Sequence, residues 1–186
     1  ALDHNDRVGG IVFSEKGHQE VKPSRNRKSI MRLLNGISDF NQALNISEPS
    51  TEAAFHFNDA LVETIRLAKP GTLLVIISDF RHINENTEKL LTKLAKHNEL
   101  LMLRTLDPIE VQLPPPGFYP VSNGEETLVI DSQSKEAREN YARWALKQQE
   151  DLTSLCIRLR APYLEITTQE APINSLQRLL FSVRNS

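Results

Sequence analysis

The sequence lacks most of what would staple or anchor a chain from outside its own core. Cys156 is the one cysteine in 186 residues, so no intramolecular disulfide is available. Its neighbours Leu152, Leu155 and Leu159 place it on the inner face of a helix, where a thiol acts as a small apolar group. The lack of disulfides fits a reducing compartment, the cytoplasm. Long apolar runs are also missing. The longest, Leu73 to Ile77, is far below the ~20 residues that span a bilayer, and no signal-type N-terminus is visible. Charge of one sign is not in excess. Lys and Arg number 22 against 24 for Asp and Glu, a formal charge of -2, so no global field draws the chain to nucleic acid or anionic lipid.

What is present is the composition of an ordinary globular protein, 39% apolar and 25% charged, in a length that suits one domain with one sizeable core. The opening Ala1-Leu2-Asp3-His4-Asn5-Asp6 reads as a helix end and a turn. The expectation is therefore a single domain over residues 1–186 that is incomplete at its N-terminus.

Gly9-Gly10 opens an apolar segment, Ile11-Val12-Phe13, followed by the polar turn Ser14-Glu15-Lys16-Gly17 and a shorter segment His18–Val21. That pattern predicts a strand, a turn and an edge strand. Ile30, Leu33, Leu34 and Ile37 recur at helical spacing after Lys28, and Ala53, Ala54, Phe57, Leu61, Ile65 and Ala68 do so again, which predicts two amphipathic helices. Pro70-Gly71 stops the second. The run Leu73-Leu74-Val75-Ile76-Ile77 has no polar alternation, as a central parallel strand covered on both faces requires. Asn86 or Thr87 is placed to cap the next helix, with Leu90, Leu91, Leu94 and Ala95 inside, before a second apolar run Leu100–Leu103. Helices alternating with apolar strands predict right-handed crossovers and a doubly wound α/β fold, a mostly parallel sheet with helices on both faces.

After Asp107 the run Pro114-Pro115-Pro116-Gly117 excludes regular structure. Phe118–Ser122 then faces Thr127–Asp131 across Asn123-Gly124, a β-hairpin inserted within residues 107–132. Ser134 caps a long helix whose stripe holds Tyr141, Trp144, Ala145, Leu152, Leu155 and Leu159, making Trp144 a core residue. A short strand, Tyr163–Thr167, and a last helix, Ile173–Val183, complete the chain.

The chemistry concentrates at strand ends. In an open parallel sheet the carboxyl ends of the strands face the crevice where ligands bind, and Ser78-Asp79-Phe80 stands at such an end. A carboxylate there is a hard oxygen ligand for a divalent cation, with the neighbouring hydroxyl in support; it equally caps the turn into the next helix. Lys22, Arg25, Arg27 and Lys28 form a local basic cluster that reads as a solvated face or as a phosphate attractor at a helix start. No aromatic interleaves with it, so stacking on single-stranded nucleic acid is not supported. His18, His56, His82 and His97 form no pair at ligand spacing, no serine or cysteine sits in a nucleophile motif, and no glycine-rich loop follows a strand.

Asp6-Arg7-Val8-Gly9-Gly10-Ile11-Val12-Phe13-Ser14, Ile77-Ser78-Asp79-Phe80 and Asp107-Pro108-Ile109-Glu110 with Leu113-Pro114 occur in this order, and with them the chain resembles the bacterial domain of unknown function family 58. The resemblance implies a von Willebrand factor A-like (VWA-like), Rossmann-type three-layer fold and, in many relatives, a metal-ion-dependent adhesion site. Of that site's three loops, Asp79 with Ser78 matches the third. The Asp-x-Ser-x-Ser loop does not occur in this sequence, and Thr51 is the nearest hydroxyl to the threonine loop, where Phe55-His56 stands before Ala60-Leu61; Thr51 also reads as a helix cap. The expected metal set is thus Asp79, Ser78 and Thr51, weak and incomplete, with magnesium or another divalent cation held by the full-length protein and none by this chain.

The resemblance also implies a MoxR-type AAA+ ATPase as partner, in the assembly or maturation of other proteins, with membrane association of the full-length protein. The leading reading is a non-catalytic protein-interaction module whose binding edge is Ser78, Asp79, Phe80 and Arg81. It has no nucleic-acid role and no transmembrane segment in this chain, and it self-associates through sheet edges left open by an absent first strand. The rival reading is a metal-dependent hydrolase using Asp79 with Asp107 or Glu110 at neighbouring strand ends.

Overall fold

The computed structural model describes residues 6–43, 56–81, 83–122, 127–173 and 177. Its contacts divide into two compact units, one drawn from the stretches 1–68 and 122–127, the other from 69–121 and 128–186.

The first unit begins with an antiparallel hairpin of β1 (Val8–Ser14) and β2 (Gly17–Ser24), in which Ser14 stands opposite Gly17. Gly17 has φ 135°, a conformation that side chains disfavour, so glycine sets the tight turn. The ladder register shifts between Val8 and Gly10. A Cβ on Gly9 would lie 2.5 Å from the Val21 carbonyl oxygen, so only glycine allows the strands to approach there. Helix α1 (Arg27–Gln42) starts one residue earlier than the apolar spacing suggests, because Asn26 Oδ1 accepts the Lys28 N–H at 2.9 Å. It packs on both strands, yet Met31, Leu34 and Ile37 remain half-exposed. Residues along a helix turn by about 100° each, so Leu33 and Gly36 face the hairpin while Leu34 and Ile37 fall on one flank. Helix α2 (Phe57–Leu67) buries Ala60 and Leu61. Asp59 closes its first turn by accepting the His56 N–H at 2.8 Å, and the Phe57 ring stacks at 6.2 Å on Phe13 of β1.

The second unit is built on three parallel strands in the order β3 (Leu73–Ser78), β4 (Glu99–Leu106), β7 (Tyr163–Thr167). Helices α3 (Glu85–Ala95) and α4 (Lys135–Leu159) make the two crossovers. Successive right-handed crossovers that advance in one direction lie over the same face. The two helices accordingly touch, and Arg158 Nη2 meets Glu88 Oε2 at 2.9 Å. Leu91, Leu94, Leu152, Leu155 and Cys156 from the helices, with Leu100, Met102 and Leu106 from β4, are all buried. The cap of α3 is Asn84, earlier than the expected Asn86 or Thr87. Asn84 Oδ1 accepts the Thr87 N–H at 3.0 Å, and Thr87 Oγ1 accepts the Asn84 N–H at 3.2 Å.

The expectation for β3 is corrected. It is the edge strand of this sheet, and the central one is β4. Leu73, Val75 and Ile77 are 59%, 47% and 60% exposed while Leu74 and Ile76 are partly covered. An unbroken apolar run reports what a strand is built to lie against; which faces are covered is decided by the elements that reach it. Among the described residues β3 pairs only with β4.

Between β4 and α4 come a single 3-10 turn (Pro108–Glu110) and the hairpin β5 (Phe118–Ser122) with β6 (Thr127–Asp131), as expected. Fully buried Ser132 closes its base, accepting the Gly117 N–H at 3.0 Å and donating to the Pro115 carbonyl at 2.8 Å. Ser134 caps α4 as expected, Oγ accepting the Ala137 N–H at 3.2 Å. Trp144 is not core. It lies half-exposed beside Tyr141, ring centroids 5.6 Å apart, while the adjacent Ala145 takes the inward position. The Asn123-Gly124 turn and nearly all of the expected last helix, Ile173–Val183, lie outside the described residues. No helix among the described residues is long and apolar enough to cross a membrane.

The exposed face of β3 and the packed helix–sheet core give a direct contrast. Leu91→Ala, emptying a fully buried position between helix and sheet, is expected to cost about 2–5 kcal/mol. Val75→Ala on the open face is expected to cost less than about 1 kcal/mol, both read from urea unfolding midpoints.

Candidate functional site

β3 ends at Ser78, and the next three residues form a tight turn. Ser78 Oγ accepts the Phe80 N–H at 3.2 Å, and Asp79 Oδ1 accepts the Arg81 N–H at 3.2 Å. Each short polar side chain thus bonds to the backbone two residues on, the usual reason such residues favour turns. Phe80 takes φ 53° and its ring is buried. Of the expected binding edge, Phe80 therefore supplies anchorage, and Asp79 and Arg81 supply the surface.

Arg81 joins two of the motifs read from the sequence. Its Nε lies 3.6 Å from Asp79 Oδ2, and its Nη2 lies 2.8 Å from Glu110 Oε1. The side chains of Arg81 and Asp79 are each about half exposed, at 48% and 49%, so water screens the first contact and its energetic weight is small. Its effect on charge is plain: a guanidinium occupies the approach to the carboxylates that a divalent cation would need.

Asp107 is fully engaged in structure. Oδ1 accepts the Ile109 N–H at 3.0 Å and caps the 3-10 turn, while Oδ2 accepts the Thr168 hydroxyl at 2.8 Å, tying the end of β4 to the segment after β7. These two bonds, the backbone one first, hold its carboxyl below the ordinary aspartate range. Tyr141 Oη donates to the Ile109 carbonyl at 3.0 Å and braces the same turn. Asp79 and Glu110 are thus brought together by Arg81, whereas Asp107 is committed elsewhere. Thr51 lies outside the described residues. Among the described residues no group of three His, Cys, Asp or Glu side chains could hold a metal ion.

A polar cluster that sequence reasoning missed lies one strand away. Arg104 stands in register with Ser78 on one side and Glu165 on the other. Its Nη1 meets Glu165 Oε1 at 3.1 Å, Tyr163 Oη donates to the same carboxylate, and Gln149 Nε2 of α4 reaches Glu165 Oε2 at 3.3 Å. Burial, then the hydrogen bond to Glu165, raises the Tyr163 phenol well above its ordinary value. Arg104 within Leu100–Leu106 and Glu165 within Tyr163–Thr167 are charges interrupting apolar strands, and that was the available signal. The pair spans β4 and β7 beneath α4 and acts as a structural tie.

A surface Ser-Asp thus ends a parallel strand in a mixed α/β chain that carries an antiparallel hairpin before that strand, an arrangement consistent with a VWA-like α/β fold. The chain belongs to the family described as Protein of unknown function DUF58, which matches residues 1–151. In fold it is similar to the conserved hypothetical protein BatB from Bacteroides thetaiotaomicron, with a TM-score of 0.54 and 16% sequence identity, covering 100% of this chain and 83% of that one. At that identity the likeness is one of fold alone. An aerotolerance-related membrane protein from Bacteroides fragilis NCTC 9343, carrying multiple mutations to serines, aligns at a TM-score of 0.43 and 16% identity over 90% of this chain and 76% of that one, too remote to bear on the fold. No curated protein matches.

Because the folded Asp107 carboxyl is depressed, its stabilising effect is present above the unfolded value, about 3.9, and is lost as pH falls through the folded value. Asp107→Ala is therefore expected to lower the unfolding midpoint at pH 7 and to converge with wild type in acid, as a series of melts from neutral to strongly acidic pH would record. The Cys156 thiol is pushed up to about 11 by burial. It is expected to react with a disulfide reagent at neutral pH only as fast as the protein opens, and prompt labelling of the native fold would contradict its placement in the core.

Proposed function

We propose that this chain is a non-catalytic protein-interaction module that binds its partner at the end of β3, through Asp79 and Arg81 on a turn set by Ser78 and Phe80. One observation carries the reading: Arg81 links Asp79 to Glu110 at the surface, at the end of a strand whose Leu73, Val75 and Ile77 are exposed. Apolar side chains beside a small charged cluster have the make-up of a protein interface, in which a dehydrated centre is bordered by polar groups that fix orientation.

The hydrolase alternative has less support. It needs carboxylates held ready for a metal or a water, whereas Asp107 spends both oxygens on Ile109 and Thr168 and Glu110 is paired to Arg81. The same pairing supports binding without magnesium, since Arg81 already supplies the positive charge beside Asp79. The partner class is the one the family resemblance implies, a MoxR-type AAA+ ATPase, and the role is assistance in assembling or maturing other proteins. The open edge of β3 also supports self-association when that partner is absent.

The test measures binding of a MoxR-type ATPase, without nucleotide, to wild type, Asp79→Ala and Arg81→Ala while magnesium is titrated. Each substitution is expected to weaken binding about tenfold, the scale of one lost interfacial charge contact, with little response to the metal. Equal binding by all three proteins would remove this edge from the function. A wild-type chain that ignores the ATPase would remove the partner.

A further inference from the structure

The first unit carries an open surface cavity of ≈ 560 Å³ along α1 beside β2, lined by Arg27, Lys28, Arg32, Met31, Asn35 and Gln19 among others. We propose that it binds an acidic, carboxylate-rich peptide segment of a protein partner through residues of the first unit.

Local charge is the first argument. From Lys22 to Arg32 the chain carries Lys22, Arg25, Arg27, Lys28 and Arg32 with no Asp or Glu, although the whole chain is slightly acidic. Lys28 and Arg32 are four residues apart on one helix face, where like charges repel. Among the described residues none of Arg27, Lys28 and Arg32 forms an ion pair, in contrast to Arg66, Arg81, Arg104 and Arg158. An anionic partner would relieve the repulsion between these neighbouring cations.

Shape is the second. Gly36 is buried at the cavity wall, where an added Cβ would stand 2.3 Å from Gln19 Oε1. The missing side chain lets the Gln19 amide lie against the helix and, with Asn35, offer hydrogen bonds beside the cations. Arginine forks match carboxylates in bidentate geometry. The cations extend from Arg27 to Arg32, about 7.5 Å of helix axis at 1.5 Å per residue, which suits successive acidic side chains better than one small anion. Asp39, the lone acid in the lining, lies toward the other end and gives the segment a polarity.

The same features disfavour other anions. No aromatic lines the cavity, so bases have no stacking platform. Leu34 and Ile37 lie on the opposite flank of α1 from Lys28 and Arg32, and Met31 is the one large apolar residue in the lining, too little apolar surface for a helix that enters a lipid surface.

The probe is a fluorescein-labelled oligoglutamate peptide, followed by anisotropy on the full chain at ~50 mM salt, where screening is modest. Wild type is expected to bind, with affinity falling as salt rises. The double variant Lys28→Glu/Arg32→Glu is expected to lose at least about tenfold and Arg32→Gln a smaller factor, while Asp79→Ala binds as wild type does. Both substituted side chains are exposed, and an unchanged circular dichroism spectrum would confirm that α1 persists. No binding by wild type, or equal binding by the double variant, would overturn the assignment. Tighter binding to phosphatidylserine vesicles or to a single-stranded oligonucleotide than to the peptide would overturn it as well.

Discussion

The second unit depends on β4. Its ladder holds β3 on one side and β7 on the other, and its buried residues Leu100, Met102 and Leu106 are the floor on which α3 and α4 rest. Parallel strands cannot be joined by short turns, so each partner of β4 arrives by a helical crossover. Those crossovers supply the cover for one face. The same strand fixes the polar layer, because register places Ser78, Arg104 and Glu165 side by side, and the residue after it, Asp107, clamps the turn that delivers Glu110 to Arg81. A shift of one residue in this ladder would send every one of these side chains to the other face.

Several charges in this unit pair within the chain. Arg81 answers Asp79 and Glu110, Arg104 answers Glu165, and Arg158 answers Glu88. The exposed pairs add little stability in water. Their consequence is specificity, since a surface whose carboxylates already face a guanidinium presents a fixed pattern of both signs rather than an open acidic site. Among the described residues, Arg27, Lys28 and Arg32 on α1 of the first unit form no such pair.

Much of this was legible before any coordinates. The hairpin β1–β2, the helices, the parallel strands and the inserted hairpin follow from apolar period, turn residues and capping residues, all of which act within a few positions along the chain. Asp79 was legible as a strand-end carboxylate for the same reason. Asn84 in place of Asn86 or Thr87, and exposed Trp144 beside buried Ala145, show the limit of such reading: one or two positions along a helix rotate a side chain from core to solvent, and apolar character does not say which.

The sequence by itself determined the class of fold, its order of elements and the position of Ser78-Asp79-Phe80 at a strand end, because these are set by local conformational preference and by the period of apolar residues. Tertiary structure alone decided that β3 is an edge with one open face, that Phe80 turns inward, that Arg81 bridges Asp79 to Glu110, and that Asp107 is committed to Ile109 and Thr168. The pairing of β3 with β4, the Arg81–Glu110 contact and the Asp107–Thr168 bond each join residues far apart in the chain. Only the closed ladder and the packed helices bring them within reach.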